Sequence, residues 1–236
     1  MTILFTGCSW TWGSELEGVE SNHEYRCANR FSGSHTNIAQ NGISNEGIVR
    51  STIKYIENNL KECGYHSPKW IDNNKVDFVV VQFTIMDRYS VYNNEWINLQ
   101  AYMTDPKMRT SPEHLPARIF LKNFHNSVYA HNEFWRNVCL LENYLENKNI
   151  PYYFMRVDMD QHVRPEQTNE YREASKNKNM FKLCDDLLGH VQKDGKEPNP
   201  NYCPNLSHLN PYFGGGHPSV KGHKMIADHI QGILPK

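Results

Sequence analysis

Short apolar runs that alternate with helical patterns are the feature that most constrains the fold of this chain. The apolar runs lie at residues 2–5, 76–83 and 151–157, with a weaker one at 36–39. Such runs are typical of strands buried on both faces of a parallel sheet. Apolar residues recur at helical spacing in 48–60 and 124–145, and a last helix is expected from about Ser219 to Leu234. Strands that alternate with helices predict an α/β fold whose parallel sheet is covered on both faces.

The length of 236 residues suits one sizeable α/β domain, and we expect residues 1–236 to form a single domain. Two segments, 88–123 and 158–216, are too polar and too often broken by proline, glycine and asparagine to belong to the regular core. We expect them to form excursions over the site, with some helix around residues 180–191. Ligands of open parallel sheets bind at the carboxyl ends of the strands, so specificity is expected to lie in these excursions.

Charge and composition argue against several classes of function. The formal net charge is -1 and there is no basic stripe, so nothing points to a nucleic-acid partner or to a polybasic membrane surface. The amino terminus leads from a short apolar run straight into Thr6 and Gly7, which favours a first strand over a signal peptide. No uncharged apolar stretch is long enough to span a bilayer. We therefore expect a soluble protein of the cytoplasm or another intracellular compartment.

The cysteines indicate a reducing environment. They are scattered and include no Cys-x-x-Cys pair, so we expect free thiols rather than disulfides or a metal site. The six are Cys8, Cys27, Cys63, Cys139, Cys184 and Cys203.

The first segment that suggests chemistry is 5–16, which follows the first strand directly. Its Gly7-x-Ser9 arrangement can place a hydroxyl at the carboxyl edge of the sheet, facing solvent. A serine in this position can equally be an ordinary turn or helix-cap residue.

The second segment is 214–223, at the entry to the last helix. Pro218 suits a first helical turn, which places His217 just ahead of the helix. A helix amino terminus disfavours a cationic imidazolium, so His217 is expected to be neutral at rest and able to accept a proton. The alternative is a loop histidine with no chemical role.

Two further segments end strands at the same predicted edge. Residues 37–50 lead from a strand end into a helix, where backbone amides can point toward an anion, although Ser44 or Asn45 could simply cap the helix. Residues 79–88 form an apolar strand that ends in polar residues. Thr84 could supply a hydrogen-bond donor there, whereas Asp87 and Arg88 could pair with each other.

Taken together, the four segments resemble the SGNH, or GDSL-like, hydrolase superfamily, as a divergent member. The resemblance spans nearly the whole chain, and the blocks occur in the family's order. The matching residues are Gly7, Ser9, Gly13, Glu15 and Leu16 in the first block, Asn37 through Gly42 with Ser44, Asn45, Ile48, Val49 and Arg50 in the second, and His217, Pro218, Ser219, Gly222 and His223 in the last.

This resemblance implies a flavodoxin-like, three-layer α/β/α fold and hydrolysis of an ester, thioester or acetyl group. Carried over by position, Ser9 is the nucleophile and His217 the general base that takes its proton. The backbone amides of Ser9 and Gly42 are then expected to face the developing oxyanion. No cofactor is expected.

Three departures from the family pattern bear on activity. The family usually has an aspartate three residues before the histidine, but Gly214 stands there and no acid occurs between Asn210 and His217. Loss of such an acid lowers turnover by about 10⁴-fold in a serine-protease triad. A backbone carbonyl or a distant acid could substitute, the candidates being Asp87, Asp158 and Asp160.

The other two departures concern the oxyanion donor and the residue before the serine. The family's third block ends in Gly-x-Asn, but residues 85–87 of this chain lack that asparagine, so Thr84 or Asn45 is the proposed replacement donor. Cys8 occupies a position where aspartate is commoner. A cysteine can itself be a nucleophile, although alternation along the turn should bury Cys8.

A catalytic metal and a phosphate loop fit the sequence poorly. His217, His223 and His229 recur at intervals of six, which brings no two of them onto one helix face as an interval of four does. The glycines at 214–216 are not followed by the Lys-Ser/Thr pair of a phosphate loop. We therefore expect no metal.

Aromatic residues suggest the class of substrate. They cluster in the first excursion and near the serine, and aromatic faces suit sugar rings, although packing against the core explains them equally well. They are Tyr89, Tyr92, Trp96 and Tyr102, with Trp10 and Trp12. The expected partner is a small-molecule or carbohydrate ester. The alternative function is a catalytically weak or inactive relative whose fold serves as a binding or structural module.

Overall fold

The computed structural model of the protein describes most, but not all, of the chain. The described residues are 1–13, 16, 26–57, 76–86, 88–93, 95–100, 119–120, 122–123, 126–157, 170–188 and 217–235. Every structural statement below concerns these residues.

Five parallel strands form the central sheet, and two antiparallel strands form a separate hairpin. The strands are β1 (Thr2–Gly7), β2 (Ser34–Asn37), β3 (Phe78–Phe83), β4 (Arg88–Asn93), β5 (Glu95–Gln100), β6 (Tyr152–Arg156) and β7 (Phe181–Lys182). The sheet order is β2-β1-β3-β6-β7, and β4 pairs with β5. Counted along the chain, the five sheet strands have the order 2-1-3-4-5 of the flavodoxin-like folds.

In the described part of the chain, five helices alternate with the strands of the central sheet. They are α1 (Ser9–Trp12), α2 (Asn45–Ile56), α3 (Ser127–Asn147), α4 (Glu170–Ala174) and α5 (Val220–Ile233). A 3-10 turn at Ala28–Arg30 and a π-helical turn at Leu183–Leu188 complete the described elements.

The three long helices are each preceded by a side chain that accepts a hydrogen bond from their first turn. This is the usual role of serine and asparagine at the N-cap, where the first backbone N–H groups have no partner within the helix. The accepting atoms are Ser44 Oγ for Gly47 N at 3.0 Å, Asn126 Oδ1 for Tyr129 N at 2.9 Å, and Ser219 Oγ for Gly222 N at 3.3 Å.

Helices cover both faces of the sheet. On one face Thr6 of β1 contacts Thr52 of α2, with 3.0 Å between their hydroxyl oxygens, and Phe83 packs on Phe134 of α3 with ring centroids 5.7 Å apart. On the other face Phe5 faces Ile226 of α5. Because strand side chains alternate between the faces, β1 and β3 are buried on both sides, which explains their continuous apolar runs.

The structure confirms the predicted α/β/α architecture with a flavodoxin-like sheet. Each apolar run yields one strand, with bounds within about two residues of the predicted ones. The last helix, expected from about Ser219 to Leu234, has these two residues as its caps. The described cysteines Cys8, Cys27, Cys139 and Cys184 are free thiols, as expected, whereas Cys63 and Cys203 lie outside the described residues.

The prediction that residues 158–216 stay outside the regular core was wrong in part. Phe181 and Lys182 form the fifth strand of the sheet, and Leu183, Cys184 and Leu188 of the following turn are buried in the core. A strand of two residues at a sheet edge is too short to produce a recognisable hydrophobic pattern. The helix expected around 180–191 is a single π-helical turn within the described residues.

Residues 88–93 and 95–100 form the two strands of a hairpin, which was predicted only as part of an irregular excursion. The hairpin is tied to the start of α2, because Ser44 N donates to Asn98 Oδ1 at 3.4 Å and Ser90 Oγ donates to the same oxygen at 2.8 Å. The Ser44 and Ser90 hydroxyls also form a short contact. The hairpin therefore lies over the carboxyl edge of the sheet, beside the end of β3.

None of the helices in the described part of the chain has the length and apolar character needed to cross a membrane.

Candidate active site

Ser9 is the first residue of α1, two residues after β1 ends at Gly7. Cys8 is the N-cap with an extended backbone, and the helix hydrogen bonds begin with Trp12 N to Cys8 O at 3.0 Å. The amide of Ser9 is therefore outside the intrahelical ladder, as the first amides of any helix are. Gly13 ends this single turn with a left-handed φ of 84°, which a residue with a side chain adopts only at a cost.

Gly7 allows this turn to approach the neighbouring strand closely. A Cβ atom at position 7 would lie 2.6 Å from Thr11 Oγ1 and 2.9 Å from the backbone oxygen of Gln82. The second of these atoms belongs to β3 and cannot rotate away. The glycine of the Gly-x-Ser motif is thus required by packing between β1, α1 and β3.

Gln82 of β3 links this strand to α1 and its N-cap through a buried hydrogen-bond network. Its Oε1 accepts from Thr11 Oγ1 at 3.0 Å and from Cys8 Sγ at 3.4 Å, and its Nε2 donates to Phe83 O at 2.8 Å. Ser9 Oγ in turn donates to Cys8 Sγ at 3.9 Å. All these side chains are buried, so losing one partner would leave polar groups unsatisfied. The role of Gln82 was not predicted from the sequence, although a glutamine within an apolar strand indicates a buried hydrogen bond.

Ser9 and Cys8 are equally buried. Each side chain is 1% exposed. The expected burial of Cys8 is confirmed, whereas the expectation that the Ser9 hydroxyl faces solvent was wrong. The Ser9 hydroxyl instead lies inside the protein, where it donates to Cys8 Sγ.

The segment from Asn37 to Gly42 runs alongside β1 and reaches the turn that carries Ser9. Ile38 N donates to Phe5 O at 2.9 Å and Gln40 N to Gly7 O at 3.0 Å, so the parallel pairing continues beyond β2. Asn37 Nδ2 donates to Thr11 O at 3.2 Å. Gly42 has a left-handed φ of 76°. The block that contains the predicted oxyanion glycine is therefore anchored to β1 and α1.

Asn45 fastens the start of α2 to the end of β3. Its Oδ1 accepts from Thr84 N at 2.9 Å, and its Nδ2 donates to Thr84 O at 3.3 Å and Ile85 O at 3.2 Å. Asn45 and Thr84 are 3% and 2% exposed. Both residues lie at the predicted edge, but the amide of Asn45 and the backbone N–H of Thr84 are engaged with each other. The Asn45 amide and the Thr84 N–H could donate to an oxyanion only by exchanging one of these bonds, whereas the Thr84 hydroxyl takes part in none of them.

His217 lies at the amino-terminal end of α5 and is partly exposed. Ser219 is the N-cap, so Pro218 precedes the helix instead of lying in its first turn. The helix begins at Val220, one residue after the predicted start at about Ser219, and His217 stands two residues before the N-cap.

His223, one turn into α5, is completely buried. Its Nδ1 accepts from Cys27 N at 3.3 Å, so the neutral ring carries its proton on Nε2, which has no hydrogen-bond partner among the described residues. Burial, with smaller contributions from Arg30, His217 and Arg26, lowers the pKa of His223 to about 3. His223 thereby joins α5 to the 26–30 segment, and His217 is close enough to affect it electrostatically.

Arg26 connects this histidine cluster with α1. Its guanidinium lies over the Trp12 ring at 4.5 Å, and a Cβ at Gly13 would come within 2.8 Å of its Cγ. Arg26 is 7% exposed, and burial lowers its pKa. Arg26 contacts Trp12, and the adjacent Cys27 contacts His223, so the serine-bearing turn and the histidine-bearing helix lie on the same side of the sheet. Neither Arg26 nor this contact of His223 was predicted from the sequence.

Several predicted residues lie outside the described part of the chain. They are Asp87, Asp158 and Asp160, proposed as replacements for the triad acid, together with Gly214 and the aromatic residue Tyr102. Of the other aromatic residues singled out, Trp10 is a buried residue of α1, whereas Tyr89, Tyr92 and Trp96 line a cavity of about 290 Å³ beneath the hairpin.

Comparison with solved structures finds similar proteins at low sequence identity. The chain is similar to a protein assigned to the G-D-S-L family of lipolytic proteins from Desulfitobacterium hafniense DCB-2, with 12% identity, 99% of each chain covered and a TM-score of 0.45. It is also similar to a psychrotrophic esterase, EstA, from Pseudoalteromonas sp., with 14% identity, 98% of this chain and 94% of the other covered, and a TM-score of 0.45.

A third similar structure is that of a carbohydrate esterase, with 14% identity, 98% of this chain and 68% of the other covered, and a TM-score of 0.45. No protein family model matches the sequence, and no curated protein matches it.

Proposed function

We propose that the protein is a serine hydrolase that cleaves an ester, thioester or acetyl group, with Ser9 as nucleophile and His217 as general base. The observation that carries the proposal is the placement of Ser9 at the start of α1, directly after β1, with the Asn37–Gly42 block fastened beside it. Ligands of open parallel sheets bind at this edge. The family resemblance of the sequence assigns the same residues.

The proposed reaction has two steps. Ser9 Oγ attacks the carbonyl carbon while His217 takes the hydroxyl proton, and the leaving group then departs with that proton. Water next attacks the acyl-Ser9 intermediate with His217 again as base, which releases the acid and restores Ser9. The amides of Ser9 and Gly42 are the proposed donors to the oxyanion, because one lies outside the helix ladder and the other lies in the anchored block.

Ser9 must become accessible before it can react. With 1% of its side chain exposed and its hydroxyl donating to Cys8 Sγ, Ser9 cannot meet a carbonyl in the arrangement described. We therefore propose that the residues covering Ser9 move on substrate binding and that the hydroxyl turns from Cys8 to His217. Hydrogen bonds at active sites commonly tighten only when substrate is bound.

The same burial favours the second candidate, a binding or structural protein that has kept the fold without the activity. A serine that donates permanently to Cys8 would be a structural residue of the buried network around Gln82. The two functions differ in whether removing the Ser9 hydroxyl changes turnover.

The experiment compares the hydrolysis of short p-nitrophenyl esters by wild type, Ser9→Ala, His217→Ala and Ser32→Ala. Ser32 is an exposed serine that precedes β2, at the opposite edge of the sheet, and serves as the matched control. We expect Ser9→Ala to fall to the uncatalysed rate, His217→Ala to lose about 10²- to 10⁴-fold in kcat, and Ser32→Ala to match wild type. Equal turnover by wild type and Ser9→Ala would overturn the proposed function in favour of the second candidate.

A further inference from the structure

A cavity of about 290 Å³ lies between the β4–β5 hairpin and the first turns of α2 and α3. This volume is large enough for a molecule with one ring, since an engineered cavity of about 150 Å³ binds benzene. Tyr89, Trp96 and Phe120 contribute aromatic walls, and Arg88, Glu46 and Glu133 contribute charges. Ser9 and His217 are not among its lining residues.

Both lining carboxylates are already paired with arginines. Glu46 Oε1 lies 3.0 Å from Arg50 Nη1, and the Arg50 guanidinium stacks on Trp96 at 3.5 Å from the ring centroid. Glu133 pairs with Arg136 one helical turn further along α3. Neither carboxylate is therefore left to attract a cation.

Arg88 is a lining cation with no carboxylate within salt-bridge distance among the described residues. Its Nε and Nη1 atoms are buried with no hydrogen-bond partner. A guanidinium that is partly removed from water and has no counterion is costly. An anion in the cavity would supply such a counterion.

We infer that this cavity binds a small organic anion, in which a carboxylate or phosphate group faces Arg88 and an attached planar or apolar group lies against the aromatic walls. Charge-assisted hydrogen bonds from guanidinium to such oxyanions are among the stronger polar contacts in proteins. The aromatic residues already contact one another, so the walls are preformed: Tyr89 stacks on Tyr129 with ring centroids 5.9 Å apart, and the tilted rings of Tyr92 and Trp96 have centroids 5.4 Å apart. The inference stands apart from the reaction at Ser9.

The test measures the affinity of the full chain for four probes of one size by ligand-observed NMR titration. Benzoate and phenyl phosphate carry the two anionic groups, benzamide is neutral, and benzamidine is cationic. We expect at least one of the anions to bind at least about tenfold more tightly than benzamide and benzamidine. The ratio between the two anions identifies which oxyanion the cavity prefers.

Three variants locate the binding. Arg88→Gln should weaken anion binding by at least about tenfold, and Glu46→Gln should strengthen it because it removes a negative charge from the cavity wall. Lys224→Gln removes a positive charge from the exposed side of α5, where Lys224 pairs with Asp228, and should leave binding unchanged. If Arg88→Gln does not fold, the change in anion affinity of Glu46→Gln still tests whether the anions bind in this cavity.

The inference is overturned if benzamide binds as tightly as both anions, if benzamidine binds best, or if neither anion binds at about 10 mM. Unchanged affinity in both cavity variants would overturn it as well. Ser9→Ala should bind the anions as wild type does, so failure of this inference and failure of the proposed hydrolase are separate outcomes.

Discussion

The buried imidazole of His223 should make the free energy of unfolding depend on pH. Replacing His223 with asparagine should remove this part of the pH dependence. Burial lowers the pKa of His223 to about 3 in the folded chain, whereas the unfolded chain has the ordinary value of 6.5. Between these two values the unfolded state binds a proton that the folded state does not. The contribution of His223 is therefore fully present above about pH 6.5 and is lost as the pH falls toward 3.

The magnitude follows from the two pKa values. One proton taken up on unfolding changes the free energy of unfolding by about 1.4 kcal/mol per pH unit well inside this window. Between pH 6.0 and pH 4.5 the loss due to His223 alone should be about 2 kcal/mol. Other groups also titrate over this range, so the effect must be measured as a difference between two proteins.

The assay is urea denaturation of wild type and His223→Asn at pH 7.5, 6.0 and 4.5. Asparagine keeps an acceptor near the position of Nδ1, so the hydrogen bond from Cys27 N can persist while the titrating ring is lost. The stability advantage of wild type over the variant should shrink by about 2 kcal/mol from pH 6.0 to pH 4.5. Parallel pH profiles, or an NMR titration that gives His223 an ordinary pKa, would refute the reasoning.

Two further substitutions test how the edge of the sheet is held. Asn45→Ala should lower the free energy of unfolding by about 3 kcal/mol, because it leaves the buried N–H of Thr84 without its acceptor. Urea denaturation measures this loss, and a value below about 1 kcal/mol would contradict the prediction. Gly7→Ala should cost about 2 kcal/mol and lower Tm, because its Cβ would lie 2.6 Å from Thr11 Oγ1. Gly33→Ala is the matched control, since its Cβ would lie 3.6 Å from the nearest atom, and equal Tm losses in the two glycine variants would count against the packing argument.

The sheet and the long helices could be predicted because their signals are long and repetitive. Residues 78–83 are buried on both faces, so they are apolar except for Gln82, and α2, α3 and α5 bury one stripe each. The short strand β7 carries no such signal. The hairpin does have a sequence signal, because β-forming residues flank Asn93 and Asn94. Its polar composition nevertheless led to its interpretation as an irregular excursion.

The candidate site was predictable in its chain positions but not in its contacts. The Gly7-x-Ser9 and His217-Pro218-Ser219 motifs are local, so the sequence alone indicates where they stand relative to β1 and α5. The role of Asn45 depends on Thr84, a partner 39 residues away. Contacts between distant segments follow from the three-dimensional packing of the sheet and leave no local pattern.

The central claim, that Ser9 is a reactive nucleophile, is tested most directly by mapping the site of covalent labelling with a fluorophosphonate. Wild type, Ser9→Ala and Cys8→Ala are treated with the reagent, digested and analysed by peptide mass spectrometry. We expect one phosphonyl adduct on Ser9, present in wild type and in Cys8→Ala and missing in Ser9→Ala. An adduct that persists in Ser9→Ala, or no adduct in folded wild type, would contradict it.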